Sequence, residues 1–516
     1  MERQQWSSEK VFILAAVGSA AGLGNIWRFP YIAYENGGGA FLIPYLVAFL
    51  TAGIPLIILE TAIGQRLQQG PVGSWKRINK RTEGLGWWSI LVTGTILVYY
   101  AVIMTWALVY LYYSLSLRWA GNAESFFVND FLQTSSGPGS LGGVNVAILA
   151  GLLASWAIVY LAVRRGTDVL GRLMKVLVPL PVILILIMIV RGVTLDGAAE
   201  GLRYYLTPQF GALLKAEGWI AAYSQVFFSV SVGMGILIAY GSYKPKVSDI
   251  NRSSLIVGTA DAAIAFLAGF AVFSILGYLA QASGAGIDEV VSGGFGLAFV
   301  AFPTAIELLP VGASLLGILF FFMLFTFALS SVISSVVTLS ATFMDARGWS
   351  TERSAALVCV PLAGLGVFFT TGAGIHWVQI LDTFVFDYGI AAVAFVELIL
   401  IRYVVDVKDF QRWINSVSSW KVGGWWRACV LYLTPAIMGA SLVAGLWGLV
   451  VKGGIRSIGT FPAWSTIGTF AFIVIAIPVL AWVVLPRIRT DRDVHDCGKF
   501  SRDEDIPDID PPRIEH

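Results

Sequence analysis

The sequence predicts an all-α polytopic membrane protein with twelve transmembrane helices. Ten of them are read as two inverted five-helix repeats (5+5), with helices 1 and 6 broken. Three observations carry this. Of 516 residues, 57% are hydrophobic and 13% charged, with a mean hydropathy of +0.76, a composition foreign to soluble globular domains. Twelve apolar segments are each long enough to cross hydrocarbon: 10–36, 40–66, 86–118, 144–163, 170–191, 217–241, 251–281, 312–345, 353–371, 377–402, 425–450 and 465–486. Two of them, five segments apart, carry a Gly-x-Gly interruption, the pattern expected of inverted repeats with a site between them.

The first segment holds GSAAGLGNIWRFP, Gly18 to Pro30. A helix in hydrocarbon keeps its backbone hydrogen bonds, and Gly22-Leu23-Gly24 favours unwinding. Ser19 and Asn25 flank the weak point, and Arg28 follows. An intramembrane Arg demands a partner or a watered cavity. The two glycines alone also suit close helix packing. The segment lacks a convincing cleavage site before GLG and reads as a retained helix.

The second to fifth segments complete the first repeat, 10–191. The sixth reads WIAAYSQVFFSVSVGMGILIAYGSY, where Ser229 to Gly235 repeat the logic of small polar residues followed by Gly-x-Gly. It opens the second repeat, 217–402. Helices 11 and 12 follow within 425–486. The loops 192–216 and 282–311 contain Gly, Pro and short apolar runs suited to small helices. Residues 1–487 read as one transmembrane domain, and 488–516, rich in Asp, Pro and Arg, as a disordered cytosolic tail.

An even number of spans puts both termini on one side. With that side taken as cytoplasmic, 27 of the 34 Lys and Arg fall there, 6 fall outside, and Arg28 lies within a helix. That asymmetry orients the chain in a cell membrane, plasma or inner, with both termini in the cytoplasm. Cys359, Cys429 and Cys497 make no disulfide framework or metal cluster. His376, His495 and His516 lie near an outer loop and in the tail, so no His-based catalytic centre is expected and the chain is not read as an enzyme. No phosphate loop or basic nucleic-acid patch occurs. The lipid bilayer is the expected surround, with no nucleic acid as partner.

A half-helix N-terminus offers free N–H groups to an anion, and exposed carbonyls suit a cation such as sodium. A free amino acid carries both charges.

These residues also carry a resemblance. GSAAGLGNIWRFPYIAYENGGGAFLIPY (18–45), GIPLIILETAIGQ (53–65), Tyr99-Tyr100, WIAAYSQVFFSVSVGMG (219–235) and ALSSVISS (328–335) resemble the neurotransmitter:sodium symporter family, particularly its bacterial amino-acid transporters of LeuT-type fold. The match runs from about residue 3 to at least 450. It implies sodium-coupled import of neutral, hydrophobic, including aromatic, L-amino acids by alternating access. The alternative is an amino-acid-sensing receptor or channel on the same scaffold.

The resemblance also implies roles. The substrate carboxylate would meet the N–H groups of Leu23 and Gly24 and the Tyr100 hydroxyl. Its amine would meet carbonyls of Ala20, Phe228 and Ser231. Ser19, Gly22, Ile96, Phe228, Ser229, Ser231, Met234, Ser331 and Ser335 complete the pocket. Two sodium ions are implied: one at Ala20, Asn25, Ser229, Asp261 and the substrate carboxylate, the other at Gly18, Ala21, Phe327, Ser330 and Ser331. Oxygen ligands suit a hard cation, although Ser330 and Ser331 also suit back-bonding to their own helix.

Asp261 stands where many relatives have Asn beside chloride, which implies chloride independence. Gly22 stands where monoamine carriers have Asp, which implies a substrate that brings its own carboxylate. Arg28 and Asp382 resemble an outer charged gate, with Asp387 the competing acid, and Tyr100 with Phe228 an aromatic lid. Arg3 and Asp345, near Ser242 and Tyr243, resemble an inner gate. Glu60 resembles a brace for the unwound sixth helix.

Overall fold

The computed structural model describes residues 4–291, 293–451 and 461–487. All regular elements among them are helical, and the β content is two isolated bridges. The helices are α1 Glu9–Ala20, α2 Leu23–Glu35, α3 Gly39–Leu67, α4 Lys80–Tyr113, α5 Val146–Val163, α6 Thr167–Val193, α7 Ala216–Ser229, α8 Ile236–Gly241, α9 Ile250–Ser283, α10 Ala313–Arg347, α11 Thr351–Thr370, α12 Gly374–Val404, α13 Val407–Val417, α14 Gly424–Gly448 and α15 Ala463–Val484.

Ten of these are long and apolar enough to span a membrane, and α1 with α2 makes an eleventh, bent by 63°. The sixth predicted segment falls short of that length for a physical reason. It is two helices, α7 and α8, separated by residues 230–235, so its apolar run is not one continuous helix. Arg3 and the tail 488–516 lie outside the described residues.

Local chemistry fixes the ends. Ser8 caps α1 by accepting from Val11 N, and Asp249 caps α9 by accepting from Arg252 N. Asp406 caps α13, an amphipathic helix that buries Val407, Phe410, Trp413 and Ile414. The two long loops carry short helices, Ala198–Leu206 and Phe210–Leu214 in one, Ile287–Val290 and Leu297–Glu307 in the other, as their composition suggested.

Burial sorts the helices. In α10, 78% of the most apolar window is buried, against 22% in α15. α4 and α10 lie side by side, and α1 packs on α6, α9 and α10. α7 packs on the first half of α3 and α8 on its second half. The two broken helices therefore sit in the interior, and α14 and α15 lie at the rim.

Candidate functional site

At the first break, Ala21 leaves the helix with ψ 89° and Gly22 is fully extended. Gly24 lets the backbone pass against the Phe228 ring: a Cβ on it would overlap Phe228 Cε1, so the ring would have to move. At the second break three residues take left-handed backbone: Ser231 (φ +55°), Gly233 (φ +78°) and Gly235 (φ +72°). Ser231 is the costly one, since a side chain disfavours that region, and such strain concentrates at functional positions. Glu60 of α3 braces this stretch: its Oε1 accepts the Gly233 N–H at 2.7 Å. Thr93 of α4 braces it again, donating to the Met234 carbonyl at 3.0 Å.

The breaks are joined by a triangle of side chains. Asn25 Nδ2 donates to Asp261 Oδ1 at 2.7 Å, Ser229 Oγ donates to Asp261 Oδ2 at 2.6 Å, and Ser229 Oγ lies 2.9 Å from Asn25 Oδ1. All three are essentially inaccessible to solvent. Buried polar groups need such partners, and the triangle draws one residue from α2, one from the end of α7 and one from α9. Its donor set is oxygen-rich and carries one carboxylate, which fits a hard monovalent cation.

A second group lies where α1 meets α10. Ser330 Oγ donates to the Phe327 carbonyl at 2.9 Å. Ser331 Oγ is 3.3 Å from the same carbonyl and 3.4 Å from the Ser19 carbonyl. A Cβ on Gly18 would make an ordinary contact with Ser330 Cβ at 3.5 Å and would crowd Val178 Cγ2 at 2.6 Å. Back-bonding and convergence on the break thus occur together. Ser335 back-bonds to the Ser331 carbonyl at 3.0 Å.

The pocket residues gather around the first break. Tyr100 Oη accepts the Leu23 N–H at 3.2 Å. A Cβ on Gly22 would lie 3.1 Å from Ser331 Oγ and 3.2 Å from Tyr100 Oη, so Gly22 sits between them. Ser19 Oγ is buried without a hydrogen-bond partner, a free hydroxyl beside the break. Ile96 lies one turn before Tyr100 on the same helix, and Ile96, Ser231 and Met234 are all buried. Ala20 and Ala21 end α1 at the break.

Above the break is a cavity of about 220 Å³ lined by Gly24, Arg28, Tyr100, Phe228, Asp382 and Asp387 among others. The outer charged pair expected of Arg28 and Asp382 is not closed. Arg28 donates to Ser224 Oγ at 3.3 Å and lies over the Phe228 ring at 4.7 Å, whereas Asp382 accepts from the Tyr99 hydroxyl at 3.2 Å. The half-buried guanidinium is held by an aromatic face and a hydroxyl instead. Asp387 faces the same space because α12 has a widened turn at Val385–Ile390.

On the opposite side of the breaks, Asp345 Oδ2 accepts from Gly70 N at 2.6 Å and the Tyr243 carbonyl accepts from Trp6 N at 2.9 Å. Trp6 also donates to the Tyr240 carbonyl at 3.0 Å and stands edge-on to both tyrosine rings.

Sequence reasoning missed Trp6, Phe386, Phe295 and Gln225. Phe386 packs edge-on against Phe228 at 4.4 Å and lines the cavity; its place four residues after Asp382 was the available signal. Gln225 lies one turn before Ser229, fully buried, with neither amide atom hydrogen-bonded. A polar amide in a predicted membrane segment was a signal there.

The profile of the sodium:neurotransmitter symporter family matches residues 3–123 and 119–490. An uncharacterized sodium-dependent transporter of Methanocaldococcus jannaschii is 38% identical over 491 residues, covering 95% of this chain and 99% of that protein. The mouse sodium- and chloride-dependent neutral and basic amino acid transporter B(0+) is 35% identical, covering 87% and 80% respectively. The human sodium- and chloride-dependent GABA transporter 2 is 33% identical, covering 86% and 80%. Members of this family are transporters, not enzymes, and use sodium. With its family profile spanning nearly the whole chain, and its buried polar groups gathered at two helix breaks, this integral membrane protein belongs to the sodium:neurotransmitter symporter family.

Proposed function

We propose that the chain is a sodium-coupled symporter that imports neutral, hydrophobic L-amino acids, aromatic ones included, by alternating access and without chloride. The observation that carries this is the Asn25–Ser229–Asp261 triangle. It supplies a fixed negative charge and oxygen ligands where the two broken helices meet, beside the Leu23 and Gly24 backbone that would receive a carboxylate, the Leu23 N–H being held by Tyr100 Oη until then. Ala20 and the substrate carboxylate complete this first sodium site. Gly18, Ala21, Phe327, Ser330 and Ser331 form the second.

In this reading the chain makes twelve spans, α7 and α8 together forming the sixth, with two inverted repeats, 10–191 and 217–402, and both termini cytoplasmic. Arg28 with Asp382 or Asp387, and Tyr100 with Phe228, close the pocket toward loops 192–216 and 282–311. Asp345, Tyr243 and Arg3 close it toward the cytoplasm. Exchange between the two closures is the transport step.

Uptake of labelled leucine and tryptophan into proteoliposomes, with sodium or choline outside, tests the reading. Sodium-dependent accumulation supports it, and equal uptake in both salts refutes it.

One observation favours a chloride-dependent variant. The Gln225 amide is an unused hydrogen-bond donor one turn from Ser229, and two of the relatives are named sodium- and chloride-dependent. Replacing chloride with gluconate during uptake separates the two readings.

A further inference from the structure

The roof of the cavity is assembled from parts far apart in sequence. Phe295, in loop 282–311, lines the cavity together with Tyr100, Phe228 and Asp382. Its ring stands edge-on to Trp27 at 5.9 Å and to Trp106 at 5.6 Å, so it is seated by α2 and α4 and reaches over the first break.

Seven residues earlier in the same loop is an acid with two tyrosine partners. Asp288 Oδ1 accepts from the hydroxyls of Tyr34 and Tyr204, each at 3.0 Å. Tyr34 lies on α2, and Tyr204 lies on the short helix Ala198–Leu206 of the other long loop. The two tyrosine rings are stacked at 5.3 Å, and Tyr204 stacks in turn on Phe273 of α9 at 6.5 Å. No ion pair to Asp288 occurs among the described residues. The loop is pinned once more where Gly293 meets the Tyr31 ring, so closely that a Cβ there would stand 2.9 Å from it.

The consequence follows from which elements are tied. α2 begins at Leu23 and Gly24, the backbone that frames the pocket. Asp288 fastens to α2 the same loop that delivers Phe295, and fastens the second loop to both. Losing this contact removes the loop's polar tie to α2 and leaves the packing of Gly293 on Tyr31 and of Phe295 on Trp27 to hold it, while the pocket's own residues stay in place. A hydrogen bond to an ionised acceptor is stronger than one between neutral groups, so one carboxylate oxygen serves two hydroxyls.

We propose that Asp288 is a positioning residue: through Tyr34 and Tyr204 it holds Phe295 over the pocket and sets the rate at which the pocket opens toward the loop-bearing face. The proposal rests on the transport reading for its purpose, but its test does not need a substrate. Ile103 lines the cavity, so an Ile103→Cys variant of the full-length protein in proteoliposomes reports access to a membrane-impermeant thiol reagent. The protein without that cysteine serves as the background.

In sodium and without amino acid, Asp288→Ala should speed labelling of Ile103→Cys by roughly tenfold, the effect of losing one to two hydrogen bonds. The double change Tyr34→Phe with Tyr204→Phe should give the same acceleration, and combining it with Asp288→Ala should add nothing. Asp288→Asn, which keeps an acceptor oxygen but loses the charge, should fall between the parent and Asp288→Ala. An unchanged rate in Asp288→Ala overturns the proposal, as does acceleration that adds to that of the tyrosine changes. If Asp288→Ala fails to fold, the tyrosine double variant alone decides, because it removes the same bonds and keeps the rings. Labelling that behaves as expected in a protein showing no sodium-dependent uptake would sink the transport reading and leave the clasp.

Discussion

Ser229 donates to one oxygen of Asp261 at 2.6 Å, and Asn25 donates to the other at 2.7 Å, so the Asp261 carboxylate is held from both broken helices at once. Its charge sits at the seam where the two interruptions meet. Negative groups crowded in one buried site repel strongly, so with the cation already answered by Asp261 and a substrate carboxylate, a further anion such as chloride is disfavoured. Uptake by the parent should be the same in chloride and gluconate media. Asp261→Asn should abolish sodium-coupled uptake in gluconate and regain activity, if any, only in chloride. A parent that needs chloride, or an Asn variant fully active in gluconate, removes the charge-replacement account.

Tyr100 accepts the Leu23 N–H through its hydroxyl oxygen, which leaves its proton for an arriving carboxylate. Tyr100→Phe should weaken amino-acid binding by about 1.5–3 kcal/mol, the value of a hydrogen bond to a charged group. Equilibrium binding of labelled substrate at saturating sodium measures this. Unaltered affinity would place the carboxylate elsewhere.

Gly24 faces the Phe228 ring with no room for a methyl group. Gly24→Ala should displace Phe228 and cost about 1–3 kcal/mol of stability, as overpacking does. It should also reduce binding more than Gly94→Ala, since a Cβ at Gly94 meets nothing closer than 3.6 Å. Thermal unfolding and binding of the two variants, measured side by side, decide.

Met234 is buried at the second break with its carbonyl held by Thr93. A thioether adapts to its neighbours where a ring does not. Met234→Phe should shift preference from aromatic toward aliphatic amino acids, read as a fall in the tryptophan-to-leucine affinity ratio. A ratio that stays constant means the side chain does not line the pocket.

Lys244 follows α8 and is almost fully enclosed. Its ammonium donates to the Asp249 carbonyl and to Ser253 Oγ and lies 4.2 Å over Phe12. Burial lowers its pKa from 10.5 to about 8, against the opposing charges of Glu9 and Asp249. The folded state therefore gives up this proton before the unfolded state does. Between about pH 8 and the unfolded value, the unfolded chain binds more protons, and stability rises with pH. The melting temperature of the parent relative to Lys244→Met should climb across that window and be flat below it. A difference independent of pH would mean the lysine is not desolvated.

Both breaks were legible in the sequence because Gly-x-Gly beside small polar residues is a poor helix in any surroundings. Asp261 was legible through the resemblance, as a carboxylate where many relatives carry Asn, and a carboxylate in an apolar segment needs partners of the kind Asn25 and Ser229 supply. The partners of Arg28 were harder. Asp382 and Asp387 are five residues apart, which in a regular helix places them on different faces; the widened turn at Val385–Ile390 brings both to one cavity, and nothing in VFDYGI announces it. Phe295 and Asp288 lie in a loop without periodicity, so their partners depend on where that loop comes to rest. Trp6 and Phe386 are aromatics among many, and helix rotation rather than composition decides which of them meet the gates.

The shallow burial of α14 and α15 carries a practical consequence. With 28% and 22% of their most apolar windows enclosed by protein, these helices draw most of their apolar contact from whatever surrounds the molecule. Choice of amphiphile during purification therefore acts on them first. Harsh short-chain detergents will fray this rim while the interior around α4 and α10 stays intact, and a nanodisc with a full acyl layer will hold it in place.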